Sequence, residues 1–209
     1  MSKSNVIGIL DIGMGNLASV YNAIYINGFE PMVVSDGSFL NDLTHLILPG
    51  VGNFSIAASE LDARKLREPI SEYVASGRPL LGSCLGMQLL VGKSKEGGIN
   101  YGLDFISGSV ELINKNNVRV PHVGWNSFSL IRSHPIFEGI KDTRDFYFVH
   151  SYHVVCDFEE NKIGTVEYGQ TITAAIGRNN VVGVQFHPEK SQVNGLRLLE
   201  NFCNWDGEC

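Results

Sequence analysis

The run Gly82-Ser83-Cys84-Leu85-Gly86-Met87-Gln88 limits this chain more than any other. It follows the apolar stretch Pro79-Leu80-Leu81 and opens onto helix-forming residues. A strand that turns sharply into a helix needs glycines where backbone segments crowd. Strand–turn–helix units with short links pack as parallel strands covered by helices. The rest of the first half repeats the pattern. Strands are predicted over residues 6–10, 31–34, 44–48 and 79–82, and helices over 17–27, 55–75 and 85–91. Pro69 marks a break or a restart in the second of these helices.

The second half changes character. Short β-type segments are expected over 108–113, 118–120, 146–155, 164–167, 172–176 and 181–185, with a closing helix over 192–205. With no repeat, low-complexity tract or linker, residues 1–209 read as one α/β domain. It is an open, mainly parallel sheet flanked by helices, with an additional antiparallel or mixed β portion in the second half.

The bulk numbers narrow the partners. A net charge of −6 with scattered Lys and Arg argues against nucleic acid. No apolar stretch reaches membrane-spanning length, and residues 6–10 are too brief for a signal-peptide core. A cytoplasmic location is the expectation. Cys84, Cys156, Cys203 and Cys209 show no C-x-x-C spacing, so thiols are expected rather than disulfides or a metal site.

A free thiol is only a few per cent thiolate at neutral pH, so a nucleophilic cysteine needs help. A strand–turn–helix places Cys84 at a helix N-terminus, where backbone N–H groups favour an anion. G-x-C-x-G is the thiol form of the nucleophile elbow. On these five residues alone, a nucleophile and a buried structural cysteine stand level. Further along, the 181–186 strand runs into His187-Pro188-Glu189. Residues two apart in an extended segment share a side. Glu189 is therefore placed to hold one imidazole nitrogen while the other faces Cys84. Pro49-Gly50-Val51-Gly52 follows the third strand. Such a turn, together with the N–H of Leu85, suits an oxyanion site at the strand ends.

With these motifs in hand, the chain resembles the class I (triad-type) glutamine amidotransferases along nearly its whole length. Among them it is most similar to glutaminase subunits of imidazole glycerol phosphate synthase. The likeness rests on Asp11 with Gly13-Met14-Gly15-Asn16-Leu17, Leu48-Pro49-Gly50-Val51-Gly52, Cys84-Leu85-Gly86-Met87-Gln88, Val120-Pro121-His122-Val123-Gly124-Trp125-Asn126, Phe148-Val149-His150-Ser151-Tyr152 and Gln185-Phe186-His187-Pro188-Glu189-Lys190-Ser191.

The resemblance implies a flavodoxin-like form of the α/β fold. It also implies a Cys84–His187–Glu189 triad that hydrolyses L-glutamine through a thioester. Gly50, Val51, Gly52 and Leu85 would serve the oxyanion, and Gln88, His150, Ser151 and Tyr152 the substrate. Gly13, Met14, Gly15, Asn16, Trp125, Asn126 and Lys190 would face a cyclase subunit with a (βα)8 barrel. No cofactor is implied, and the sequence carries no phosphate loop or dinucleotide fingerprint. Ser83, Ile12 and His153 depart from the usual residues. They fit a paralogue that supplies ammonia for amidination of a surface-polysaccharide sugar. A free-standing cysteine hydrolase or peptidase is the reading from another class.

Overall fold

The structure, a computed structural model, describes residues 5–116, 118–140 and 145–208. The first half holds β1 (Ile7–Leu10), α1 (Leu17–Ile26), β2 (Met32–Val34), β3 (His45–Gly50), α2 (Phe54–Ala63), α3 (Arg67–Ala75), β4 (Leu80–Cys84) and α4 (Leu85–Leu89). There follow β5 (Val91–Ser94), β6 (Asn100–Tyr101), β7 (Ile106–Leu112), β8 (His122–Leu130), β9 (Asp145–His150) and β10 (Tyr152–Cys156). The chain finishes with β11 (Lys162–Glu167), β12 (Thr171–Arg178), β13 (Val181–Val184) and α5 (Gln192–Asn204).

The main sheet runs β2-β1-β3-β4-β13-β12-β10-β7-β5-β6. Its first five strands are parallel, and β12 and β10 join antiparallel, so the expected division between the two halves holds. Alternation along β3 shows how both faces are covered. Ile47 packs with α1 and α5, through Val20, Ile24 and Leu198. Leu46 and Leu48 pack with α2 and α3, through Phe54, Leu61 and Ile70. A parallel strand buried on both sides needs this continuous apolar character.

Four expectations need correction. The helix over 55–75 is two helices, broken at Lys65, whose φ is +53°. Pro69 marks the restart rather than a break, because it sits in the first turn of α3, where an N–H has no partner to lose. The helix over 85–91 stops at Leu89, and β5 begins at Val91. Residues 118–120 form no strand; the strand is β8, whose inward positions include Gly124 and Asn126 and so blur the apolar alternation. The segment 146–155 is two strands divided at Ser151, where the chain leaves the β8–β9 ladder for the main sheet. Cys84, Cys156 and Cys203 are buried free thiols, and Cys209 lies outside the described residues.

Candidate active site

The parallel register brings the parts together. Gly50 pairs with Cys84, and Val184 pairs with Ser83, so the ends of β3, β4 and β13 lie side by side. Cys84 takes φ +53° and ψ −111°, which turns β4 into α4 within one residue. The flanking glycines are obligatory. A Cβ on Gly86 would lie 1.7 Å from the Leu48 carbonyl oxygen, and one on Gly82 would lie 2.7 Å from the backbone of Gly86.

His187 is 3% exposed and lines the same cavity as Cys84, close enough for the thiol to act on its charge. Its Nδ1 lies 2.9 Å from Glu189 Oε1. The link is a tight 3-10 turn over Pro188–Lys190, not the extended segment expected from spacing. Two bonds fix that turn to β9, His187 N–H donating to the Tyr147 carbonyl and Tyr147 N–H to Ser191 Oγ, and a third, Ser191 Oγ–H to the His187 carbonyl, closes the turn on itself. Burial opposes charge on His187, but the Cys84 thiol and the Glu189 carboxylate beside it push its pKa up to about 9. Glu189 has a 3% exposed side chain, and its Oε2 has no partner among the described residues. Its hydrogen bonding is therefore directed at the imidazole.

Cys84 and His187 wall a cavity of about 250 Å³, with Glu189 behind the imidazole. Val51, Gly52 and Leu85 line it on the oxyanion side, and His150, Ser151 and Tyr152 on another. Gln88 also lines it, but both of its N–H groups are used, one on the Tyr152 carbonyl at 3.0 Å and one on Gln185 Oε1 at 3.1 Å. What it can offer a ligand is an acceptor oxygen, suited to an ammonium. Glu96 was not anticipated. It reaches the cavity wall while Oε2 accepts from Phe54 N–H at 2.8 Å, which anchors the carboxylate on the first turn of α2.

His122 and Gln185 were also not anticipated. His122 faces His150 across the β8–β9 ladder, with Nδ1 3.0 Å from His150 Nε2. His150 Nδ1 lies 2.9 Å from the Tyr152 carbonyl, so this nitrogen carries its proton and Nε2 accepts from His122. Burial holds both rings neutral, His122 down at about 4 and His150 at about 3. Gln185 is fully buried, with Nε2 3.9 Å from Cys84 Sγ. Its legible signal is position: it stands two residues before His187, on the same side.

The residues assigned to a partner face divide. Gly13 and Asn16 are exposed, and Asn16 Oδ1 caps α1 at Ser19 N–H. Met14 packs over Gly52, and Gly15 packs beside Pro49. Val123 and Trp125 point outward and are 55% and 48% exposed. The Trp125 ring meets Tyr147, and Lys190 lies over that tyrosine at 6.0 Å. Asn126 turns inward instead, its amide on His122 Nε2 and the Glu167 carbonyl. Among the described residues no cluster of side chains suits a metal, and no helix is long and apolar enough to cross a membrane.

A strand-end thiol, a buried His–Glu pair and an adjoining glycine turn on an α/β sheet are the parts that thiol-based hydrolysis needs. The chain belongs to the class-I glutamine amidotransferase family, whose model matches residues 9–205, and it is an enzyme of that class. It is 44% identical to the imidazole glycerol phosphate synthase subunit HisH of Sulfurimonas denitrificans over 96% of this chain and 98% of that relative. It is 45% identical to subunit HisH 2 of Vibrio vulnificus, covering 94% and 93%. In fold it is similar to PurLQS from Thermotoga maritima, with a TM-score of 0.75 at 18% identity over 96% of this chain and 98% of that one. A glutamine amidotransferase from the same organism gives 0.61 at 16% identity, over 89% and 76%.

Proposed function

We propose that this chain hydrolyses the side-chain amide of L-glutamine at Cys84 and passes the ammonia to a synthase subunit. It would be the glutaminase half of an imidazole glycerol phosphate synthase in histidine biosynthesis. The observation that carries the chemistry is His187, held by Glu189 and lining the same cavity as the Cys84 thiol. Identity of 44–45% to relatives named HisH over nearly the full length supports the pathway.

The steps balance on these side chains. Cys84 Sγ gives its proton to His187 and attacks the amide carbon. The carbonyl electrons move onto oxygen, which the turn at Gly50, Val51, Gly52 and the Leu85 N–H would stabilise. As the carbonyl re-forms, the C–N bond breaks and His187 protonates the departing nitrogen, releasing ammonia and a thioester. Water then gives a proton to His187 and attacks the thioester. Glutamate leaves, and the sulfur recovers its proton. Gln88, His150, Ser151 and Tyr152 would hold the amino-acid end of the substrate. Glu189 keeps the imidazole oriented and stabilises its cation.

Hydrolysis alone would waste the ammonia. Val123, Trp125 and Val149 form an exposed apolar face on β8–β9, next to the cavity, and Val51 is exposed at its rim. With Gly13 to Asn16 and Lys190, this face would receive the cyclase barrel. The test is glutaminase turnover with and without the histidine-pathway cyclase and its acceptor. A large rise on adding both is the expected result, and rapid turnover by the isolated chain rejects the partner-dependent reading. Cys84→Ala should abolish glutaminase turnover yet leave ammonia-dependent synthesis by the complex intact. Rescue of a sugar-amidination defect, but not of a histidine auxotroph, would move the chain to the other acceptor.

A further inference from the structure

Cys84 needs more help as an anion than its turn supplies. Helix α4 spans only five residues, so few backbone dipoles align behind the sulfur. The Val149 carbonyl oxygen lies 3.8 Å from Sγ, a contact that suits a thiol and opposes a thiolate. Residue 84 is 6% exposed, so water makes up little of the difference.

Among the described residues one other polar side chain reaches the sulfur, and the network fixes which end it presents. The Tyr152 carbonyl can only accept, so the Gln88 atom 3.0 Å away is its nitrogen. The second hydrogen of that NH2 group points at Gln185, 3.1 Å away, which must answer with oxygen. The nitrogen of Gln185 therefore faces Cys84 Sγ, at 3.9 Å. His150 Nδ1–H donates to the same Tyr152 carbonyl, so the origin of this polarity is held twice. The register explains the placement. Val184 pairs with Ser83, which sets Gln185 alongside Cys84.

We propose that Gln185 is a further catalytic residue of the glutaminase reaction, its amide N–H donating to the Cys84 sulfur and holding the thiolate in place for attack. Gln88 and the Tyr152 carbonyl act as its mount. The contact is long for a neutral thiol and tightens once the sulfur carries charge. No proton leaves the amide. This rests on Cys84 being the nucleophile, as proposed above.

Gln185→Met keeps bulk and removes the donor, while Gln185→Glu places an acceptor against the sulfur. The readouts are the pH profile of Cys84 alkylation by iodoacetamide, mapped by peptide mass, and kcat and KM for glutamine in the complex with the cyclase. The alkylation midpoint should rise by about one pH unit in Gln185→Met and further in Gln185→Glu. The kcat should fall roughly 10- to 100-fold, with KM changed far less. An unchanged midpoint and a kcat within about threefold in Gln185→Met would overturn the proposal. If Cys84 of the unaltered chain reacts no faster than Cys156 and Cys203, the nucleophile reading beneath it falls instead. Should the variants fail to fold, the assigned Gln185 carboxamide resonances of the unaltered chain decide. They should titrate together with Cys84, and silent resonances reject the donor role.

Discussion

At Cys84 the backbone is held at φ +53°, a region costly to any residue with a Cβ, so the elbow persists only because its surroundings enforce it. Gly86→Ala tests that enforcement. Its methyl would overlap the Leu48 carbonyl, and destabilisation above about 4 kcal/mol is expected in denaturant melts. For the base, His187→Ala should lower kcat by about 10³-fold or more and Glu189→Gln by less. Equal losses would mean the carboxylate does more than orient the ring. These residues were legible because two glycines bracket the thiol and the His–Glu pair is adjacent in sequence. Gln185, Glu96 and His122 were not. Gln185 stands two residues before His187, but that position does not say which amide atom faces inward, and nothing in the local sequence ties Glu96 or His122 to the site. Gln88 lines the cavity, and its donors are engaged by Tyr152 and Gln185.

Among the elements, the turn over Pro188–Lys190 depends heavily on Ser191. That hydroxyl bonds the His187 carbonyl at 2.6 Å and accepts from Tyr147 N–H at 3.0 Å. Ser191→Ala should cost about 1–2 kcal/mol in thermal melts. It should lower kcat more than it raises KM, because the imidazole loses its mount while the binding wall stays. An unchanged kcat would show that the His187 N–H bond to Tyr147 suffices alone. The parallel strands were readable because burial on both faces makes them continuous apolar runs. The β8–β9 ribbon was harder. Its inward side alternates His122, Gly124 and Asn126, which is the pattern of a polar cluster rather than of a core strand. The split of β9 from β10 depends on a change of ladder partner, which local sequence does not encode.

For the whole molecule, histidines set the pH range of stability. Burial lowers the pKa of His45, His122, His134, His150 and His153 from the ordinary value of 6.5, to about 4 for His122 and His134 and about 3 for His150. Their folded pKa values lie below the unfolded one, so this contribution is complete above pH 6.5 and is lost as pH falls through the folded values. His187 runs the other way. Its contribution is complete below 6.5 and is lost as pH rises through about 9. Melting temperature should therefore peak near pH 6.5. It should fall by on the order of 10 °C by pH 4, and a flat profile from 4 to 6.5 by calorimetry would contradict the buried neutral rings. The backbone contact between Leu48 and Gly86 has a mechanical consequence on the same scale. With no side chain between them to absorb a shift, the third strand and the nucleophile behave as one rigid piece. Any rearrangement that aims amide groups at a reacting oxygen must begin past Gly50, in the two residues at the loop tip. Hydrogen exchange should mark that boundary, fast at Val51 and Gly52 and slow at Leu48 and Gly50.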